Sequence, residues 1–326
     1  MSSIKNYSFI TLFILTLFGN KLNSQIYVDN SPLPYQSYLY QEIEENVDQG
    51  LQYALEQLVT NNPYWNKLIS ENRMSVGLVD LRNKYDIKYA SINGDEMMYA
   101  ASLPKIAVLL TAMEAIKNKE IPYNASLKND LRLMIAKSNN AATTRVIERL
   151  GFQRIAKVMT SDKYNLYDID NGGGLWVGKK YAKAGKRNPD PLKGLSHAAT
   201  VDQVCRYYTM LAYGKLVSPE YNKEMMGYLV NPELHHKFVN TLDQIAPDVD
   251  IYRKSGSWRN YHSDSVLVYG EDGRKYILVA LIDDPAGGKI CKDLVHVAES
   301  ALGIDDIEPS TPIAGKVQSP TASPKF

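Results

Sequence analysis

Three short clusters carry the residue types needed for acyl transfer. The first is Ser102-Leu103-Pro104-Lys105, at the head of the apolar run Ile106-Ala107-Val108-Leu109-Leu110. A serine and a lysine three positions apart on a helix share one face. A lysine held there, away from water and near other cations, gives up its proton more easily and can take the serine's. Pro104 suits a first helical turn, where its missing N–H costs little. The second cluster, Ser138-Asn139-Asn140, opens a helical pattern that runs to Leu150 and stops at Gly151. The third, Lys254-Ser255-Gly256-Ser257, follows Ile251-Tyr252-Arg253 in strand-like surroundings. Singly, each has a plain structural explanation: a helix cap, a first-turn residue, a solvated strand lysine. Jointly, that explanation requires their order and contexts to coincide.

The order S-x-x-K, S-[DN]-N, K-[ST]-G resembles the active-site triplet of penicillin-recognising serine enzymes. From about residue 74 to 303 the chain resembles the class A β-lactamases and the related D-Ala-D-Ala peptidases. The resemblance implies roles for each position. Ser102 would attack a carbonyl and Lys105 would deprotonate it. Ser138 would relay a proton toward the leaving nitrogen, and Asn140 would donate to the substrate's amide carbonyl. Lys254 would add positive charge beside Ser138, and Ser255 would bind a substrate carboxylate. The backbone N–H groups of Ser102 and Ser257, the latter following Gly256, would form the oxyanion hole. No cofactor or metal is implied. The expected substrate is a small molecule or a peptidoglycan-derived amide or ester.

Three departures from the class A pattern stand out. Asn139 replaces the usual Asp, at a position whose role is structural. The interval from Ser102 to Ser138 is short, which implies a trimmed helical subdomain. The largest departure concerns water. Class A enzymes carry a loop glutamate that activates the water releasing the acyl group, yet no glutamate occurs between Glu148 and Glu220. Asp168, Asp170 and His197 are the available substitutes, each with an easy structural alternative in a turn or before a helix. The sequence therefore predicts slow deacylation. A D-Ala-D-Ala peptidase or esterase, or a penicillin-binding module without turnover, is the alternative function.

Other motifs are weaker. The stretch from Gly173 to Lys179 has the spacing of a phosphate-binding loop, but Lys180 stands where Ser or Thr would be needed for Mg²⁺. Its glycines are expected to form a mobile loop over the cleft. His235-His236 lacks a third ligand at useful spacing. Trp258 and Tyr261 could line the cleft rim or simply pack. Lys179, Lys180, Lys183, Lys186 and Arg187 form a basic segment, either a solvated loop or an attraction for anionic cell-wall material.

The elements that must position these residues follow from periodicity. Apolar residues recur at three and four over 41–59, predicting a helix. Strands are expected over 74–81 and 85–92, then the nucleophile helix over 102–119 and helices over 127–134, 138–150 and 200–213. Strands at 251–258, 264–269 and 276–282 precede a terminal helix over 292–302, with Gly270-Glu271-Asp272-Gly273 as a hairpin connection. Strands at both ends with helices between fit one antiparallel sheet built from both termini and packed with helices, an α+β fold.

The 326 residues suffice for one large domain or two modest ones, and 44% hydrophobic with 22% charged residues is ordinary for a globular protein. A net charge of +1 provides no field for nucleic acid, which is not an expected partner. Lys5 followed by a short apolar core over 9–18 reads as an export signal, too short for a comfortable membrane span. The expected organisation is a signal peptide over 1–24, an extension and helix over 25–73, the hydrolase domain over 74–303, and a disordered Pro/Ser/Thr-rich tail over 304–326. The expected location is periplasmic or extracellular, with no stable membrane span after signal removal. Export would permit a disulfide between the two cysteines, Cys205 and Cys291, but their pairing stays open.

Overall fold

The structure is a computed structural model and describes residues 33–304. The expected signal segment and the expected tail beyond residue 304 lie outside the described residues. Helix α1 (Gln49–Thr60) begins where the Asp48 carboxylate accepts the Leu51 N–H at 2.8 Å. That cap divides the helix expected over 41–59: a 3-10 turn at Ile43–Asn46 comes first, and Val47 and Asp48 are extended. Helix α2 (Pro63–Ser70) starts on an Asn62 cap with Pro63 in its first turn. Strands β1 (Met74–Asp80), β2 (Lys88–Ile92) and β3 (Met98–Tyr99) lead to helix α3 (Lys105–Lys117). A helical block follows, comprising α4 (Ala125–Ala136), α5 (Asn140–Leu150) and α6 (Phe152–Met159).

Four short strands come next: β4 (Tyr167–Asp168), β5 (Gly173–Gly174), β6 (Trp176–Val177) and β7 (His197–Ala199). Helix α7 (Val201–Ala212) is capped by the Thr200 side chain, α8 (Pro219–Leu229) completes the helical layer on that side, and α9 (Phe238–Ile245) packs in the opposite core with α1. Strands β8 (Asp250–Trp258), β9 (Tyr261–Tyr269) and β10 (Lys275–Asp283) then precede helix α10 (Gly287–Leu302).

The main sheet has five strands in the order β2-β1-β10-β9-β8, antiparallel throughout. The fold is thus α+β, with the sheet drawn from both ends of the chain as the alternation of elements implied. Both faces of the sheet are covered, so its central strand is apolar on both sides. In β10, Ile277, Val279 and Leu281 face one core with Val201, Val204 and Tyr208 of α7. Tyr276, Leu278, Ala280 and Ile282 face the other, with Leu51 and Leu55 of α1 and Ile290, Leu294 and Val295 of α10. Each fully buried aliphatic side chain of this kind contributes about 1.5–3 kcal/mol. Helix α3 is apolar all round, from Ile106 to Leu110 and beyond, and is correspondingly buried through the middle of the helical layer.

Cys205 and Cys291 are free and buried on opposite faces of the sheet. The glycines of the 173–179 stretch do not form a mobile loop. Gly173 and Gly174 are buried and pair with Asp168 and Tyr167. A Cβ at Gly174 would collide with the Leu166 carbonyl, so close backbone packing is what this glycine provides.

Candidate active site

The three clusters meet at the end of the sheet edge formed by β8. Ser102 lies in the turn 101–104, one turn before the first residue of α3, so the expected helix start at 102 moves to Lys105. The turn is built from short-range bonds, Leu103 N–H to Ala100 O at 3.1 Å and Lys105 N–H to Ser102 O at 3.3 Å. Ala101 before it has φ +51, a conformation costly for a residue with a side chain. Among the described residues, Ser102 Oγ has no hydrogen-bond partner, and the hydroxyl is free to turn toward an incoming carbonyl.

Lys105 is fully buried and donates to Ser138 O at 2.6 Å, Ser138 Oγ at 3.2 Å and Asn140 Oδ1 at 2.9 Å. Burial pushes its ammonium down to about 7. Lys254 is also buried and donates to the same Ser138 Oγ at 3.0 Å and to Ser255 O at 2.8 Å. Burial holds Lys254 far below the usual lysine range, and the charges of Lys105 and Arg253 add to the effect. Two lysines thus donate to one hydroxyl oxygen. The single proton of Ser138 is left to point away from both. Ser138 itself has φ +53, a second strained backbone position within the cluster.

The middle cluster explains its own sequence. Asn139 Oδ1 accepts the Ala142 N–H at 2.8 Å and so caps α5. Asparagine performs that task as well as aspartate. Because the Lys105 ammonium can only donate, Asn140 faces it with Oδ1, which leaves the Asn140 NH₂ group for another acceptor.

Strand β8 brings the third cluster in. Its ladder pairs Gly256 with Ser263 of β9 and Ser257 with His262. Lys254 reaches the Ser255 carbonyl from the open edge, so the backbone groups of Ser255 and Ser257 face outward and those of Gly256 face β9. A Cβ on Gly256 would come within 2.5 Å of Ser102 N. Only glycine allows the strand this close to the nucleophile turn. Ser263 Oγ, donating to Ala100 O at 2.8 Å, ties the turn to β9. Beneath the strand, Arg253 and Asp264 form a fully buried pair at 2.8 Å, and Arg253 also donates to Leu234 O.

Tyr181 also belongs to the cluster, although no motif marks it. Its ring lies 4.5 Å from Lys105 Nζ, and its hydroxyl donates to Ala101 O at 3.1 Å. It stacks on His197 at 4.2 Å, and Tyr99 stands edge-on to both His197 and Tyr261. Lys237, equally unmarked, is buried and donates to Gly256 O at 2.6 Å and Ser263 O at 2.9 Å. The basic segment and the His-His pair were the only sequence signals near these residues. Neither says which side chain turns inward.

The candidate water bases are engaged elsewhere. Asp168 accepts from Asn171 Nδ2 and from the Asp170 N–H, and these bonds hold its carboxyl below the usual range. Asp170 is exposed. His197 Nε2 faces the Lys179 carbonyl at 3.0 Å, which places the proton on Nε2, and its Nδ1 meets Ser196 Oγ at 3.2 Å. Burial lowers the His197 imidazole to about 4. Among the other singled-out residues, Trp258 is exposed, Tyr261 packs on Tyr99, His235 pairs with Asp243 and His236 with Arg253. No group of His, Cys, Asp and Glu fit to hold a metal occurs among the described residues.

A family model described as the beta-lactamase enzyme family matches residues 116–299. The match takes in the second and third clusters and begins after Ser102 and Lys105. Among solved structures, PBP-A is similar at 16% identity with a TM-score of 0.58, covering 83% of this chain and 99% of that one. A beta-lactamase from Sphaerobacter thermophilus DSM 20745 is similar at 17% identity with a TM-score of 0.56, covering 75% of this chain and 98% of that one. A PBP-A mutant in an acyl-enzyme complex with penicillin G is similar at 17% identity with a TM-score of 0.57, covering 79% and 98%. A search of curated proteins found no match.

Proposed function

The chain belongs to the beta-lactamase enzyme family, and from that premise we propose an exported serine hydrolase that opens a β-lactam, or a related amide or ester, through an acyl-enzyme on Ser102. The hydrolase domain spans 74–303, behind a signal peptide over 1–24. Ser102 Oγ attacks the carbonyl carbon while its proton passes to neutral Lys105. The backbone N–H groups of Ser102 and Ser257 receive the charge that develops on the carbonyl oxygen, an interaction typically worth about 3–4 kcal/mol in the transition state. The C–N bond then breaks: Ser138 Oγ gives its proton to the departing nitrogen and takes from Lys105 the one that came off Ser102, which leaves Lys105 neutral again. Lys254 adds positive charge beside Ser138 and, with Ser255, receives an anionic substrate group. The Asn140 amide donates to the substrate's own carbonyl. No cofactor enters the scheme.

The observation that carries this reading is the convergence of Lys105 and Lys254 on one hydroxyl oxygen, Ser138 Oγ, at 3.2 and 3.0 Å. Two buried lysines so placed have little structural use. Desolvating each costs several kcal/mol, and neither meets a carboxylate here.

A second observation favours long-lived adducts, as in a peptidase or a penicillin-binding module. The loop that covers Lys105 presents the ring of Tyr181 rather than a carboxylate. Intact-mass spectrometry after mixing with a fluorescent penicillin tests both parts. We expect a stoichiometric adduct that persists for minutes, because losing a general base typically slows a step by about 10²–10⁴-fold. Clearance at tens per second would refute slow release. Absence of any adduct would point to a substrate outside the penicillins.

A further inference from the structure

We infer that Lys237 is a positioning residue for the oxyanion hole: its buried ammonium, bonded to the Gly256 carbonyl, strengthens the Ser257 N–H as a donor. The inference rests on the reaction proposed above and adds a residue to it. Gly256 C=O and Ser257 N–H belong to a single planar peptide unit and point in opposite directions. On β8 the N–H side of this unit faces the open edge, and the carbonyl side faces β9. Lys237 Nζ lies 2.6 Å from that carbonyl oxygen and 2.9 Å from the Ser263 carbonyl opposite it. A cation on the oxygen draws electron density away from the amide nitrogen and makes its N–H a better donor. In a low-dielectric interior such polarisation along a hydrogen-bond chain is strong.

The surroundings suit this role. Lys237 is 4% exposed, and the two acceptors of its ammonium are both carbonyls, not carboxylates. The nearest buried carboxylate, Asp264, is bonded at both oxygens to Arg253. Lys237 precedes α9 with φ +57 and ψ −126, a conformation that ordinary side chains avoid. A charge is thus held in place, at a cost in backbone strain and desolvation, against the carbonyl that shares a peptide unit with the Ser257 N–H of the hole. A neutral residue could have spanned the two strands.

The test is the carbonyl stretch of the acyl-enzyme formed with a ¹³C-labelled penicillin, read by infrared difference in the wild type and in Lys237→Met. In the variant the stretch is expected to move to higher wavenumber. Acylation should slow about tenfold, short of the 10²–10³ seen when a donor is removed outright. Lys237→Arg, which keeps the charge, should restore both. An unchanged stretch and rate in a folded Lys237→Met protein would overturn the inference. A second readout needs neither variant nor substrate: the ¹³C resonance of the Gly256 carbonyl in the wild type. It should lie downfield of the other β8 carbonyls, and an ordinary strand value would also overturn the inference. That measurement decides the matter if Lys237→Met does not fold. If the wild type forms no adduct, the proposed reaction fails separately, and the Gly256 resonance still tests Lys237.

Discussion

The lysine–serine cluster and the loop beside it are built on different principles. Ser102, Lys105, Ser138 and Lys254 stand on or beside a buried helix, a capped helix and a sheet edge. The polar atoms of Lys105, Ser138 and Lys254 are bonded to each other, and Ser102 Oγ stands beside them with no partner among the described residues. The segment over 160–196 is made of two-residue strands, a 3-10 turn and other turns, and two of its carboxylates, Asp168 and Asp190, serve its own backbone. Asp190, for example, is buried and accepts from the N–H groups of Leu192 and Lys193 at 2.9 Å, and from Tyr167. One side gathers two buried lysines, their ammonium groups made more acidic by burial, around a single hydroxyl. The other consumes its negative charge in holding a loop shut. A fold of this kind can retain acylation while leaving water activation without a base.

Three sets of experiments would break or sharpen that contrast. The largest effect belongs to Ser102→Ala, which should abolish the adduct in the mass spectrum while thermal unfolding stays close to wild type. Undiminished labelling at another serine would remove Ser102 from the reaction.

Lys105 comes next. With its ammonium lowered to about 7, it cannot accept a proton below that pH and is neutral above it. Acylation should therefore fall about tenfold for each pH unit below 7 and level off above about 8. Lys105→Met should lose about 10²–10⁴-fold in rate and also lose that limb, as measured by stopped-flow labelling between pH 5 and 9. A limb that survives in the variant would belong to another group, Lys254 first.

The smallest effect is expected on the loop side. Asp168→Asn and Asp170→Asn should leave adduct lifetime unchanged within about twofold, since neither carboxylate is placed as a general base. A lifetime lengthened tenfold or more in either variant would identify a water base and dissolve the contrast.

The alternation of strand and helix patterns sufficed for the α+β sheet. The sheet strands are long enough for periodicity to show, and β10 is apolar throughout because both its faces are covered. Helices α2, α6, α8 and α9 left weaker signals, being short or, for α8, largely polar on one side. The helix expected over 41–59 was broken by one capping carboxylate, Asp48, whose local bond outweighed the apolar spacing. The glycine-rich stretch read as a mobile loop because composition alone does not reveal that Gly174 is pressed against another backbone.

The candidate site divides in the same way. Ser102, Lys105, Ser138, Asn140, Lys254, Ser255, Gly256 and Ser257 could be named from the sequence because their three clusters come in the order that the resemblance requires, while local spacing says only which side chains share a face. The sequence by itself also determined that no glutamate is available between Glu148 and Glu220. Only the tertiary structure decided that Lys105 and Lys254 share one acceptor, that Tyr181 covers Lys105, and that Lys237 meets the Gly256 carbonyl. These contacts join residues 19 to 116 positions apart. Backbone periodicity is silent over such separations. Which buried group meets which depends on the packing of α3, α5, α9 and β8 against one another, and that packing also excludes the water that would otherwise set the charge of each lysine.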